Sequence, residues 1–114
     1  VVIAPGTQET KGIVSRPVME ALGSKGKLVN MGRGSLVDEE AMIELLESGA
    51  LGGAALDVFA EEPHVPERLR ALENVVLLPH QGSATHKTRA AMGMMVVRNL
   101  KAHLRGEPLI SPVV

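Results

Sequence analysis

Four side chains able to move a proton or hold an anion stand beside residues that constrain the backbone. Arg33 lies between Gly32 and Gly34, Asp57 closes an apolar run, Glu62 precedes Pro63, and His80 follows Pro79. An imidazole changes charge near neutrality and can give or take a proton there. A Glu partner would hold its tautomer and favour its charged form. The planar guanidinium fork of an arginine matches a carboxylate or a polarised carbonyl oxygen. The set suggests proton transfer beside a planar, anionic group. Taken singly, each residue has a plainer role: Arg33 in a surface turn, Glu62 as a solvated loop carboxylate, His80 capping a turn, Asp57 bonding backbone amides at a strand end. Four such roles would have to coincide at one place to explain the pattern away.

That place is set by the elements that carry the residues. Apolar runs at 1–4, 27–31, 53–58 and 74–78 are strand-length and nearly continuous, as strands of a parallel sheet are when helices cover both faces. Ser15 as N-cap, Pro17 in the first turn and Gly23 at the end frame a short helix. Asp38 caps a second helix with Met42, Leu45 and Leu46 on one face and Gly49 closing it. Ser83 or Thr85 caps a long third, in which Met92, Met95, Val96, Leu100 and Leu104 form a stripe expected to pack in a core or against another domain, with Gly106 and Pro108 ending it. The stretch 61–74 is expected to cross the surface without a strand of its own. This order is the grammar of an α/β, Rossmann-like, doubly wound parallel sheet, here an incomplete one. In such sheets ligands bind beyond the carboxyl ends of the strands, where Pro5-Gly6-Thr7, Gly32-Arg33-Gly34, Asp57 with Glu62, and His80 all fall.

Composition narrows the classes further. With 45% apolar and 22% charged residues the chain reads as an ordinary globular protein. A net charge of −1 and a single aromatic residue, Phe59, leave neither a basic face nor a stacking platform, so no nucleic-acid partner is expected. No apolar run approaches the roughly 18 residues of a membrane span. Absence of Cys fits a reducing cytosol, the default localisation being cytoplasmic, and the four His lack metal-ligand spacing, so no metal is expected.

The segments 28–39 (LVNMGRGSLVDE), 56–63 (LDVFAEEP) and 74–85 (NVVLLPHQGSAT) together resemble the signatures of the D-isomer-specific 2-hydroxyacid dehydrogenases, and the likeness spans nearly the whole chain. The resemblance implies an oxidoreductase that moves a hydride between NAD or NADP and a small 2-keto or D-2-hydroxy acid. Arg33 would hold the substrate's carboxylate and keto oxygen, His80 would act as general acid, and Glu62 would orient His80. Asp57 would meet the carboxamide side of the nicotinamide, and Pro5, Gly6 and Thr7 would lie along the adenosine side. Met31, Gly32, Arg33, His80, Gly82 and Ser83 would complete the cofactor contacts. The run from Glu62 to Glu67 leans toward the glyoxylate and hydroxypyruvate reductase branch, and a homodimeric parent enzyme is expected. Gln81 departs from the family's usual aliphatic residue and changes the expected polarity around His80, and Gln8 stands where the adenosine-side loop often carries Pro; His86 and His103 fall off the motif.

Residues 1–105 are expected to form the C-terminal part of the NAD(P)-binding domain, with 106–114 returning toward a substrate domain. The Gly-rich turn that would hold the pyrophosphate, and the residue that selects NAD or NADP, are expected upstream of Val1. This segment alone is therefore expected neither to bind cofactor tightly nor to turn over. Two other readings keep the fold: a nucleotide-sensing corepressor-like module, or an inactive truncated product.

Overall fold

A computed structural model describes residues 1–113. Two compact units divide the chain, Val1–His80 and a second that begins at Gln81. The first is built on three short parallel strands in the order β1 (Leu28–Asn30), β2 (Ala54–Leu56) and β3 (Val75–Leu77). Leu28 pairs with Ala54 and Ala54 with Val75, and the register runs on to Asn30, Leu56 and Leu77. Three of the four expected runs thus become strands, each trimmed at its ends. The first, 1–4, makes only a single parallel bridge, Val2 with Asn30, through Val2 N to Val29 O at 2.7 Å and Met31 N to Val2 O at 3.0 Å. Pro5 follows, and its lack of an N–H donor stops the ladder there.

Helix α1 (Arg16–Leu22) carries Pro17 in its first turn, where a missing N–H removes no helical bond. Ser15 caps it through its backbone only, its carbonyl accepting from Met19 N at 3.1 Å, while the expected side-chain cap is not formed. Gly23, at φ 72°, turns the chain out of the helix. Helix α2 (Glu39–Glu47) is capped as its sequence predicts, Asp38 Oδ1 accepting from Ala41 N at 3.1 Å, and Glu39 and Glu40 in the first turn complement the helix dipole. Its expected face, Met42, Leu45 and Leu46, is buried, and Ile43 with it.

The 61–74 connection forms no named strand, as expected, but is not featureless. It contains a short helix, α3 (Glu67–Arg70), that plugs the fully buried Leu69 into the core beside Met19, Met42, Ile43 and Leu51. Arg68 ties α3 to α2 by a fork onto Glu47, Nε at 3.0 Å and Nη2 at 2.8 Å, with Glu40 taking a third bond. That fork holds Glu47 below the usual carboxylate range.

The second unit is helix α4 (His86–Leu104) and a tail. Of the two candidate caps the structure uses Thr85, whose Oγ1 accepts from Thr88 N at 3.2 Å. Gly106, at φ 68°, follows its end. The apolar stripe expected to pack in a core or against another domain is exposed here, Met92 to 60% and Leu104 to 82%. One helix and a short tail present too little apolar surface to cover it within the unit.

Candidate functional site

Asn30 closes β1 with its side chain fully buried. A polar residue at the end of an apolar strand must find partners, and Asn30 finds them in the next turn. Gly32 N donates to its Oδ1 at 3.1 Å, and its Nδ2 donates to Arg33 O at 3.0 Å. Arg33 is left extended, at φ −140° and ψ 147°, with Nη1 donating to Gly32 O at 2.7 Å. A 3-10 turn, Gly34–Leu36, leads on toward α2.

Neighbouring loops press on this turn from two sides. A Cβ at Gly6 would lie 2.8 Å from Arg33 Cγ, and one at Gly34 would lie 1.9 Å from Phe59 O. No side chain fits at residue 34 with the two backbones so close. The first loop is itself tied by Thr10, whose Oγ1 donates to Pro5 O at 2.6 Å and accepts from Thr7 N at 2.9 Å.

Beyond β2 the chain passes the buried Asp57, whose amide donates to Asn30 O at 3.0 Å, and then folds around Glu62. Phe59 N donates to Glu62 Oε1 at 3.1 Å, and Ala60 N donates to Glu39 Oε2 at 3.0 Å, so the start of α2 and the carboxylate itself both fix the loop. The second oxygen of Glu62 meets His80, Oε2 to Nδ1, at 2.7 Å. That bond holds the carboxyl of Glu62 below the usual range; burial opposes it, and the Phe59 amide and the positive charges of His80 and Arg33 add to it. His80 sits at φ 49°, in the left-handed region that non-glycine residues seldom occupy. Such a conformation persists only where its surroundings impose it, which is commonest at functional sites. Phe59, Pro63, Val65 and Pro79 join Glu62 and His80 around a mostly apolar cavity of about 160 Å³.

The first unit thus joins Glu62 to His80 and sets Arg33 where its charge acts on Glu62, with Pro5, Gly6, Thr7, Met31, Gly32 and Asp57 on the loops that leave Val2 and the three strands. Gly82 and Ser83 belong to the second unit, in a turn where Thr85 N donates to Ser83 O at 2.9 Å. Sequence reasoning missed Asn30, Thr10, Glu39 and the Phe59 amide. Asn30 had a readable signal, a polar residue closing an apolar run two positions before a glycine. Thr10 and Glu39 bind loop backbone through their side-chain oxygens and Phe59 acts through its amide, none of which residue type announces. Among the described residues no group of three or more His, Asp or Glu could hold a metal ion, and no helix is long and apolar enough to cross a membrane.

Residues 1–82 match the NAD binding domain of the D-isomer specific 2-hydroxyacid dehydrogenases. A glyoxylate/hydroxypyruvate reductase A of Arabidopsis thaliana is 60% identical over 114 residues, all of this chain and 36% of that protein. A hydroxyphenylpyruvate reductase of Plectranthus scutellarioides is 57% identical, again over all of this chain and 36% of the relative. Among solved structures, the NADPH-dependent glyoxylate/hydroxypyruvate reductase of Sinorhizobium meliloti, in complex with NADP and malonate, superposes with a TM-score of 0.93 at 50% identity, over 99% of this chain and 35% of that one. The chain spans about a third of the length of these relatives.

Proposed function

The chain belongs to the D-isomer-specific 2-hydroxyacid dehydrogenase family, and we propose that it supplies the catalytic rim of a reductase that converts a small 2-keto acid to its D-2-hydroxy acid with NADH or NADPH. Residues 1–105 would be the C-terminal part of the dinucleotide-binding domain, with 106–114 leading toward a substrate domain. Glyoxylate and hydroxypyruvate are the proposed substrates, by similarity to the reductases of Arabidopsis thaliana and Sinorhizobium meliloti.

The observation that carries the reading is the 2.7 Å contact between Glu62 and His80 Nδ1, with Arg33 close enough to act electrostatically on the same carboxylate. With Nδ1 engaged, Nε2 is the ring nitrogen left to serve the substrate. Glu62, held ionised, fixes the ring's orientation and stabilises the imidazolium. His80 then protonates the keto oxygen in reduction and takes the hydroxyl proton in the reverse direction. Arg33 pairs its fork with the substrate carboxylate, turning the carbonyl toward His80. A bound nicotinamide dinucleotide would supply the hydride. The donor set fits such a group. Asp57 is a buried carboxylate at the end of β2, suited to the carboxamide amine, while Pro5, Gly6, Thr7, Met31 and Gly32 offer backbone along its length.

The test uses the full-length protein. His80→Ala should lower kcat for hydroxypyruvate reduction by about 10²- to 10⁴-fold while leaving the Kd for NADPH, from fluorescence titration, nearly unchanged. Near-normal turnover in that variant would remove His80 from the chemistry.

A further inference from the structure

Arg33 can grip a carboxylate only if its turn is held still, and beside the backbone bond from Leu36 N to Arg33 O at 3.1 Å the turn is held by one buried side chain. Asn30 is 1% exposed, and its amide spans both sides of residue 32, accepting from Gly32 N at 3.1 Å and donating to Arg33 O at 3.0 Å. Its own carbonyl accepts from Asp57 N at 3.0 Å, joining the same turn to the end of β2. Only a side chain with a donor and an acceptor at this reach satisfies both sites. A carboxylate would keep the bond from Gly32 N but could not donate to Arg33 O, and would place an unpaired charge against that carbonyl. Arg33 O would keep its bond from Leu36 N, but a side chain too short to reach Gly32 N leaves that donor unmet and a carboxylate sets a charge against the carbonyl, and either costs enough for the turn to move.

Movement there is not shared equally by the site. Gly6 limits the Arg33 stem from one side and the Phe59 carbonyl limits Gly34 from the other, so a shift of the Arg33 carbonyl is transmitted to the guanidinium. Glu62 and His80 hang from other segments and keep their own bonds to each other and to Phe59 N. We propose that Asn30 is a positioning residue for Arg33. Through the paired bonds to Gly32 and Arg33 it sets where the guanidinium meets the carboxylate of the 2-keto acid, without touching substrate itself. This rests on the reading of Arg33 as the carboxylate-binding group.

The experiment is a double-mutant cycle in the full-length enzyme: Asn30→Asp and Asn30→Ser, each with Arg33 present and in an Arg33→Ala background. With Arg33 present, each variant should lose about tenfold to a hundredfold in kcat/KM for hydroxypyruvate, most of it in KM, since displacement of an orienting group by an ångström is worth up to about a hundredfold. NADPH affinity should fall by much less than kcat/KM, because most of the proposed dinucleotide contacts lie on other segments. In the Arg33→Ala background the same substitutions should cost no more than about threefold, because the group they act through is gone. An equal loss in both backgrounds, or a parallel fall in NADPH affinity, would overturn the proposal in favour of a general structural role. Should Asn30→Asp show no cooperative melting transition, Asn30→Ser alone decides by the same criteria. If Arg33→Ala by itself leaves kcat/KM for hydroxypyruvate intact, the reading of Arg33 fails and this inference goes with it. If Arg33→Ala is impaired while both Asn30 variants are not, the inference alone fails.

Discussion

Glu62 uses its two oxygens for two different partners, Oε1 for the amide of Phe59 at 3.1 Å and Oε2 for His80 Nδ1 at 2.7 Å. The carboxylate is thereby anchored to its own loop while it orients a ring eighteen residues further on. The hydrogen bond to His80 is the largest cause of its depressed proton affinity, and both bonds favour the ionised form.

The pH dependence follows from that direction. A carboxyl depressed in the folded state stabilises the fold fully above the ordinary carboxylate range and loses that contribution as pH falls through its folded value. Glu62→Gln should therefore be less stable than the wild type at neutral pH, with the gap closing on acidification. Urea unfolding of both proteins from about pH 7 to about pH 3 measures it, and a gap independent of pH would count against an ionised Glu62. The same variant should lower kcat for the keto acid by about tenfold to a hundredfold, less than removing His80, because the neutral amide still holds the ring but stabilises the imidazolium less.

Gly34 gives a sharper steric prediction. Its Cα faces the Phe59 carbonyl so closely that the methyl of Gly34→Ala would sit 1.9 Å from the oxygen and 2.5 Å from Ala60 N. No flexible side chain can yield there; one backbone must move. Overpacking typically costs about 1–3 kcal/mol, and this site should lie at or above the upper end, read from the denaturant midpoint. The displaced turn carries Arg33, so the KM for the keto acid should rise in the same variant. A Gly34→Ala protein with wild-type midpoint and KM would show that the two loops are not in contact.

Much of this arrangement could be read from residue types. Parallel pairing followed from the nearly continuous apolar runs at 27–31, 53–58 and 74–78, and the α2 cap from Asp38 ahead of an amphipathic stretch, because both signals are local. Arg33, Glu62 and His80 stood out because constrained backbone beside a polar residue at a strand end is itself a local signal. Leu69 was less legible: a four-residue helix between Pro66 and Ala71 leaves no periodicity to detect, and its burial depends on a gap in a core assembled from distant residues. The contact of Gly34 with Phe59 was likewise out of reach, since it depends on two loops twenty-five residues apart. The α4 stripe was read correctly as helical, and what covers it was not legible, because spacing fixes a face and says nothing of what meets it.

Asn99 closes the second unit on itself, and its amide should be dissected one end at a time. Its Oδ1 accepts from Ile110 N at 2.9 Å and Ser111 N at 3.2 Å, while its Nδ2 donates to Ser111 Oγ at 2.8 Å and to Met95 O at 3.0 Å. The tail is thus held mainly through the oxygen, which captures two backbone amides. Asn99→Ala removes both, and since alanine is the better helix former α4 itself should persist. Hydrogen exchange of the full-length protein should show Ile110 and Ser111 amides losing protection while the central amides of α4 keep theirs. Asn99→Asp retains the acceptor and should preserve most of that protection despite losing the Nδ2 bonds. Equal protection in Asn99→Ala and the wild type would mean the tail is held by its apolar contacts, and the side-chain amide contributes nothing to its order.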